Sequence, residues 1–537
     1  MKLAPYITKG LRWWPAVLTL LVVGFGAGVS SMLQIHNADQ LVDGYLFENF
    51  RTFHGAIFPL EHTQVLKWPL FALPHLFHFA PLIYSTLTVL AVLVTIGGLL
   101  YVLYAIGRRM VVFGALCILL TSVLLLVPVQ AFDGGVTAPL GMAMLTGRNV
   151  EYIVYIAALA LLVKMPRLRS WYFAGSTLLL SLLFASDRLF LYFSFGGAVL
   201  LGLTALIAGH KTLQRLSGNW LATSGLAWLL SLGLQAIMGH TLVRLVSFPQ
   251  HYEHVSSLSG VQRGIGGSLQ ALSLNFGLTT RAGYASLPAF ALNVLTVVLV
   301  IYAVYWTIRR LYGLRRGDAP LPRAWGFAAM LLSTSLAAVV GFACINQPYI
   351  QNARYLTITV FGGFVVLAVW LRTVHIKVST AKIVQLAVGS IACLVLAAIA
   401  VTAHTNVLRG KDRLAQRNQA IASALQKHPV EYLVGNYWRV VPIRAASRES
   451  RQAISPLQGC SQRTTVLTSE TWRPDLRRHS FAYLLTSQAL SVPQQACNKL
   501  TVVWLYGQPT SEVIISGPKS APREVLLFYD NGAAGVR

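Results

Sequence analysis

Four aspartates stand where chemistry could be done. Asp39 and Asp43 lie in the run Asn37-Ala38-Asp39-Gln40-Leu41-Val42-Asp43-Gly44, just beyond the first hydrophobic stretch. Asp133 begins Asp133-Gly134-Gly135, and Asp187 precedes Arg188 in a tight turn. Each follows the end of an apolar run, and they come from three separate connections. A carboxylate that close to hydrocarbon is costly unless it is paired or faces a wet cavity. Asp39, Asp43 and Asp133 are therefore candidates for a catalytic base. Asp187 is a further candidate, with a local ion pair to Arg188 as the plainer reading. Arginines recur in the connections of the same side: Arg188, Arg263, Arg281 and Arg354, the last followed by Tyr355. A guanidinium offers a planar fork that matches a phosphate or pyrophosphate, and Arg354-Tyr355 at the lip of a late apolar run is the preferred contact of that kind. Snorkelling onto anionic lipid is the alternative for these arginines. Histidines gather there too, but His251-Tyr252-Glu253-His254 lacks the spacing of a zinc motif. There is no HExxH, P-loop or GxSxG to anchor a metalloprotease, nucleotide or serine-hydrolase reading.

The elements that must position these groups are membrane spans. Of the 537 residues 55% are hydrophobic and 11% charged, where a soluble protein carries roughly a quarter charged; mean hydropathy is +0.60. Apolar runs of spanning length fall at 13–33, 81–107, 110–130, 150–163, 170–186, 189–208, 219–238, 289–307, 324–345, 355–371 and 383–403, about eleven in all. The first is too long for a signal-peptide core and has no small-residue cleavage site, so it reads as an uncleaved span. The 43 Lys and Arg against 17 Asp and Glu give a net charge of +26. These charges are scattered between apolar runs with no nucleic-acid-reading motif, which argues against a nucleic-acid partner. They follow the positive-inside pattern instead. Lys2, Lys9 and Arg12, then Arg108-Arg109, Lys164 to Arg169, Lys211 with Arg215, Arg309 to Arg323, and Arg372 with Lys377 and Lys382 alternate with the acid-bearing connections. This one-sided count predicts the N-terminus in the cytoplasm and the C-terminal tail outside.

The connections on the predicted outer side are the long ones: 34–80, 131–149, 239–288 and 346–354, with the turn 186–188. Within the first, Tyr45 to Phe50 and Trp68 to Phe71 are amphipathic and are expected to lie along the interface. A loop as long as 239–288 suggests a binding surface or lid. Composition changes near His404, dividing the chain into a transmembrane part, 1–403, and an extracytoplasmic α/β domain, 404–537. In the latter Arg413 to Lys427 reads as a helix, and Tyr432 to Val434, Trp438 to Ile443, Leu500 to Leu505 and Glu524 to Tyr529 read as strands. Cys117, Cys344 and Cys393 fall within spans as packing residues. Cys460 and Cys497 fall in the outer domain, where an oxidising compartment favours a disulfide. Span centres nearly free of ionisable groups make ion-coupled transport less attractive than chemistry at the outer surface.

Taken together, these features resemble the GT-C superfamily of integral membrane glycosyltransferases. Those proteins have about a dozen helices, long first and fourth outer loops and an acidic motif just after the first helix. Asp39-Gln40 is similar to the Asp-Glu form with Gln in place of Glu. Val42-Asp43-Gly44, followed by Tyr45-Leu46-Phe47, is similar to the Glu-Asp-Gly form with Val in place of Glu; of the two acids Asp43 is preferred. Asp133 stands where a second acid is common, Arg354-Tyr355 matches an Arg-Tyr at the start of a late helix, and Val434 to Trp438 is similar to a Tyr-Trp strand in some bacterial members.

The resemblance implies a polyprenyl-phosphate-linked sugar as donor and a glycan, lipid or protein hydroxyl as acceptor. The first-loop carboxylate would act as base, attack would invert the anomeric carbon, and Arg354, Tyr355, Arg263, Arg281 and Arg188 would hold the departing phosphate. Some members use a divalent cation, magnesium or manganese, and others do not. Two other readings remain open. One is an O-antigen polymerase or ligase, which leans on arginines and a histidine in large outer loops. The other is a flippase or transporter of lipid-linked saccharides. The absence of any Asn-x-Ser/Thr sequon in the outer segments points to a bacterial inner membrane.

Overall fold

The computed structural model describes residues 13–34, 56–73, 81–125, 147–165, 168, 170–247, 253–255, 257–278, 287–313, 321–346, 352–374, 415–446, 453–458, 460–463, 468–469, 472–486, 497–515 and 524–533. The apolar runs become helices, because a backbone without water must satisfy its own hydrogen bonds. In order these are α1 (Trp14–Gln34), then strand β1 (Ala56–Pro59) and the short α2 (Trp68–Ala72), followed by α3 (Pro81–Gly107), α4 (Met110–Leu125), α5 (Val150–Lys164), α6 (Trp171–Ser186), α7 (Leu189–Ile207) and α8 (Lys211–Thr241). Next come β2 (Arg244–Val246), β3 (Glu253–His254), α9 (Leu258–Asn275), α10 (Leu287–Gly313), α11 (Arg323–Ala343), β4 (Ile345–Asn346) and α12 (Thr357–Thr373). Ten of the eleven apolar runs thus coincide with helices; the eleventh, 383–403, lies outside the described residues. Six helices among those described, α3, α7, α8, α10, α11 and α12, are long and apolar enough to cross a membrane, and they mark the chain as a membrane protein.

Helix α12 is the centre of the bundle. Every residue from Thr357 to Val369 is buried, as expected for a helix that is apolar all round and surrounded by others. Elsewhere in the bundle small residues let helices come close to one another: a Cβ on Gly197 of α7 would meet the Trp220 ring of α8 at 2.7 Å and the backbone of Thr334 in α11 at 3.1 Å. Trp220 is fully buried there and donates from Nε1 to Ser194 Oγ at 2.7 Å.

The connections sort to two ends. At the basic end Arg109 donates to the Val374 carbonyl at 2.9 Å, and Gly326 sits among Leu216, Leu321 and Val163. At the other end β1 pairs in parallel with β2 and antiparallel with β8 (Thr468–Ser469), joining the first long connection, the fourth and the C-terminal region in one sheet. Strands β3 and β4 pair antiparallel at the same end. Trp68 and Phe71, expected along the lipid interface, are instead buried with Ala91, Met238, Tyr437, Val441 and Trp472. The C-terminal region supplies the cover that lipid was expected to supply.

That region has the helix 415–427 (α13), β5 (Tyr432–Asn436), α14 (Tyr437–Ala446), β6 (Ala453–Gln458), β7 (Gln462–Arg463) and β8. It continues through β9 (Phe481–Thr486), α15 (Lys499–Tyr506), β10 (Ser511–Ile515) and β11 (Glu524–Tyr529). Six strands form one sheet in the order β10-β11-β9-β5-β6-β7, with β5 parallel to both β6 and β9 and the remaining pairs antiparallel. Alternation divides it cleanly. Leu433, Ala482, Leu484, Leu526 and Phe528 pack with Ile421 and Leu425 of α13; Val434, Tyr483, Leu527 and Tyr529 pack with Val502 and Tyr506 of α15 on the opposite face. The Cys460–Cys497 disulfide forms, spanning 37 residues.

Three expectations are corrected. Trp438 to Ile443 and Leu500 to Leu505 are helices, not strands: the first is the crossover that two parallel strands require, the second is capped by Asn498 accepting from Thr501 N at 2.8 Å. The similarity of Val434 to Trp438 to a strand accordingly ends at Asn436. Cys344, expected inside a span, caps α11 and is exposed. The expected boundary near His404 lies outside the described residues.

Candidate functional site

Where the loop-bearing end meets the helices, ionisable side chains from four separate segments are buried together. Gln64, in a left-handed conformation with φ 56°, turns the chain into a 3-10 turn, Val65–Lys67. Lys67 is fully buried; its ammonium lies 2.9 Å from Glu151 Oε1 and donates to the Gly147 carbonyl at 2.6 Å. Glu151, in the first turn of α5, is also fully buried. A buried pair of this kind forms only because each charge compensates the other's desolvation.

Beside it, Arg148 Nε lies 2.5 Å from Asp187 Oδ2, and its guanidinium sits over the Tyr355 ring, 4.8 Å from the centroid. Asp187 closes α6 and starts α7: its Oδ1 accepts from Leu189 N at 2.9 Å. Its Oδ2 also meets His62 Nδ1 at 3.0 Å. A carboxylate can only accept, so Nδ1 carries the proton and Nε2 is left as the basic nitrogen. The His62 side chain is 24% exposed, and Nε2 has no hydrogen-bond partner among the described residues. An imidazole oriented by a buried carboxylate, with its other nitrogen open, is the arrangement of a general base.

The electrostatics agree with this division of roles. Burial alone would raise the Asp187 carboxyl, but Arg148 and then His62 overcome it and hold the group well below the usual carboxylate range. Burial lowers the His62 ring below its ordinary value; Asp187 opposes this, while Arg148 and Lys67 add to it. Burial works against the Arg148 cation, yet Asp187 and the phenols of Tyr355 and Tyr152 raise it above its ordinary value. At neutral pH the site therefore holds a fixed anion, a fixed cation and a neutral ring.

Several residues expected from sequence meet here. Arg354 and Tyr355 form a 3-10 turn at the start of α12. The Arg354 guanidinium lies 5.5 Å from the Tyr355 ring centroid, and its carbonyl accepts from Tyr152 Oη at 3.2 Å and Thr357 Oγ1 at 2.6 Å. Arg188 lies one residue from Asp187 but turns to Glu61, at 3.9 Å, and to Gln235 Oε1, at 3.4 Å. The expected Asp187–Arg188 pair is replaced by Asp187–Arg148. Asp187 itself has both oxygens engaged and is 1% exposed, so it positions neighbours rather than accepting a substrate proton. Arg263 is exposed on α9, apart from the buried charges. Asp39, Asp43, Asp133 and Arg281 lie outside the described residues, as do the side chains of His251 and His254.

Arg188 also lines an open cleft of about 380 Å³ with Gln235, His240, Arg244 and the apolar Leu232 and Ala236. Its wall is the face of α8, and its head is cationic. Sequence reasoning missed His62, Lys67, Arg148 and Glu151 as a group. Lys67 and Arg148 did carry a signal, since both stand in the connections that the charge bias otherwise keeps poor in cations. Comparison with known proteins returns no match: no family model fits the chain and no curated protein aligns with it significantly.

Proposed function

We propose that the chain is a membrane glycosyltransferase that moves a sugar from a polyprenyl-phosphate carrier to an acceptor hydroxyl at the loop-bearing end of the bundle. The observation that carries this reading is the cleft of Arg188, Gln235, His240 and Arg244. It is apolar along α8 and cationic at its head, as an amphipathic lipid phosphate requires. The one-sided charge count supports placing that end outside, in a bacterial inner membrane with the C-terminal region extracytoplasmic. A carboxylate of the first connection, Asp43 or Asp39, or Asp133 of the second, takes the acceptor proton. The acceptor oxygen attacks the anomeric carbon, the bond to the phosphate oxygen breaks with inversion, and the lipid phosphate leaves. Arg188 and Arg244 offset the charge that grows on it, together with Arg354 and Tyr355.

The test offers purified protein a radiolabelled polyprenyl-phosphate sugar and candidate acceptors. A new glycosidic bond is expected, with Asp43→Ala or Asp39→Ala lowering kcat by about 10²-fold or more and Arg188→Gln raising KM for the donor. Movement of the lipid across the bilayer with no bond formed would replace the enzyme by a flippase.

One observation favours a second reading, the polymerase or ligase type. The His62–Asp187 pair is a ready base beside arginines, so no first-loop carboxylate is needed. In that case His62→Gln abolishes transfer while Asp39→Ala and Asp43→Ala keep full activity.

A further inference from the structure

The opposite, basic end holds a site that the proposed reaction does not use. Trp306 and Arg310 of α10, Pro322 and Trp325 at the start of α11, and Trp370 and Val374 at the end of α12 enclose a cleft of about 490 Å³. Its walls are aromatic: Trp306 and Trp325 lie 5.0 Å apart between centroids, and Trp370 meets Tyr302 edge-on at 5.2 Å. Its charge is positive. Arg310 is exposed in the cleft, and Arg109 is held at the rim by its bond to the Val374 carbonyl. Helix α11 begins at Pro322 with no side-chain cap, so its positive end adds to the same field.

We propose that this cleft binds the headgroup of an anionic glycerophospholipid of the surrounding leaflet. The phosphate sits against Arg310 near Arg109, the glycerol region rests against the indole rings, and the acyl chains descend along α10. A path for those chains exists. Leu295, Val298 and Tyr302 are exposed and share one face with Trp306 by their spacing of three and four residues. From Leu295 to Trp306 is about 16 Å of helix, which matches the roughly 15 Å of one leaflet's hydrocarbon. Indole rings at the depth of the headgroups suit this boundary. A small free anion would need the arginines but neither the tryptophan walls nor the apolar face below them.

The experiment compares the full chain in nanodiscs of phosphatidylcholine alone and of phosphatidylcholine with phosphatidylglycerol. Lipid retained after detergent extraction is counted by native mass spectrometry. Preferential retention of phosphatidylglycerol is expected. Arg310→Gln should weaken that preference about fivefold while leaving Tm in pure phosphatidylcholine unchanged, since Arg310 is exposed. Trp325→Leu should weaken retention of both lipids. Equal retention of the two lipids by the natural chain, or an unchanged preference in Arg310→Gln, would overturn the assignment. Full displacement of the lipid by millimolar glycerol phosphate would also overturn it, by making the site one for small anions.

Discussion

The fully buried Lys67–Glu151 pair makes a sharp statement about single residues. Removing one partner leaves a stranded charge, so Glu151→Gln or Lys67→Met alone should cost about 3–5 kcal/mol. The double variant Lys67→Met with Glu151→Gln should recover much of that loss. Thermal unfolding of all three in one detergent completes the cycle; additive losses would mean the two groups are not coupled. His62 makes a different statement, about pH. Its folded ring binds a proton less readily than the ordinary histidine at about 6.5, because burial disfavours the cation. Between those two values the unfolded chain holds more protons, so stability falls as pH drops below about 6.5. The Asp187 carboxyl, held well below its usual range, contributes a constant amount throughout that window and loses its contribution only in strong acid. His62→Gln should therefore flatten the decline in Tm between pH 7 and pH 5. A decline that persists in the variant would assign the effect to another group.

At the scale of elements, hydropathy made the long helices legible, while local propensity misled where tertiary demands overrode it. Val440, Val441 and Ile443 favour a strand, yet they ride on α14, because β5 and β6 run parallel and need a crossover. Lys499 to Tyr506 is rich in strand formers too, but Asn498 caps it and Gly507 ends it at φ 91°; those two residues were the overlooked signal. The charged cluster was half legible for a related reason. Arg188 and Arg354 stood out as cations against the bias, but nothing in their spacing tells that His62 and Arg148 approach Asp187 from other segments. Two predictions belong at this scale. A Cβ on Gly264 would lie 2.0 Å from the Ala343 carbonyl oxygen, whereas Gly266 meets nothing within 4 Å. Gly264→Ala should thus lift α9 from α11 and expose α9 to protease, while Gly266→Ala leaves cleavage unchanged or slows it. Replacing Cys460 and Cys497 by Ser opens a loop of 37 residues and should destabilise the C-terminal region by about 3–4 kcal/mol, read as a lower unfolding midpoint of its near-UV signal.

Across the whole molecule, the charge bias and the packing describe the same two ends. Connections grouped by their basic residues meet through Arg109, Val374 and Gly326, and those grouped by their acids meet through β1 and its neighbours. Cysteines placed at Ser247 and at Arg309, in a Cys344→Ser background, test which end faces out. An impermeant maleimide added to intact cells should label the first and not the second. The strand β1 carries one more consequence, in the timing of synthesis. It leaves the ribosome before β8, one of its two partners, which lies about four hundred residues later. At about 5–20 residues per second that edge waits roughly 20–80 s with its backbone groups unpaired. A strand that a segment made about four hundred residues later must close makes synthesis of that segment a condition for completing the sheet. Prematurely ended copies would present an open strand edge, the feature by which unfinished chains aggregate or are degraded.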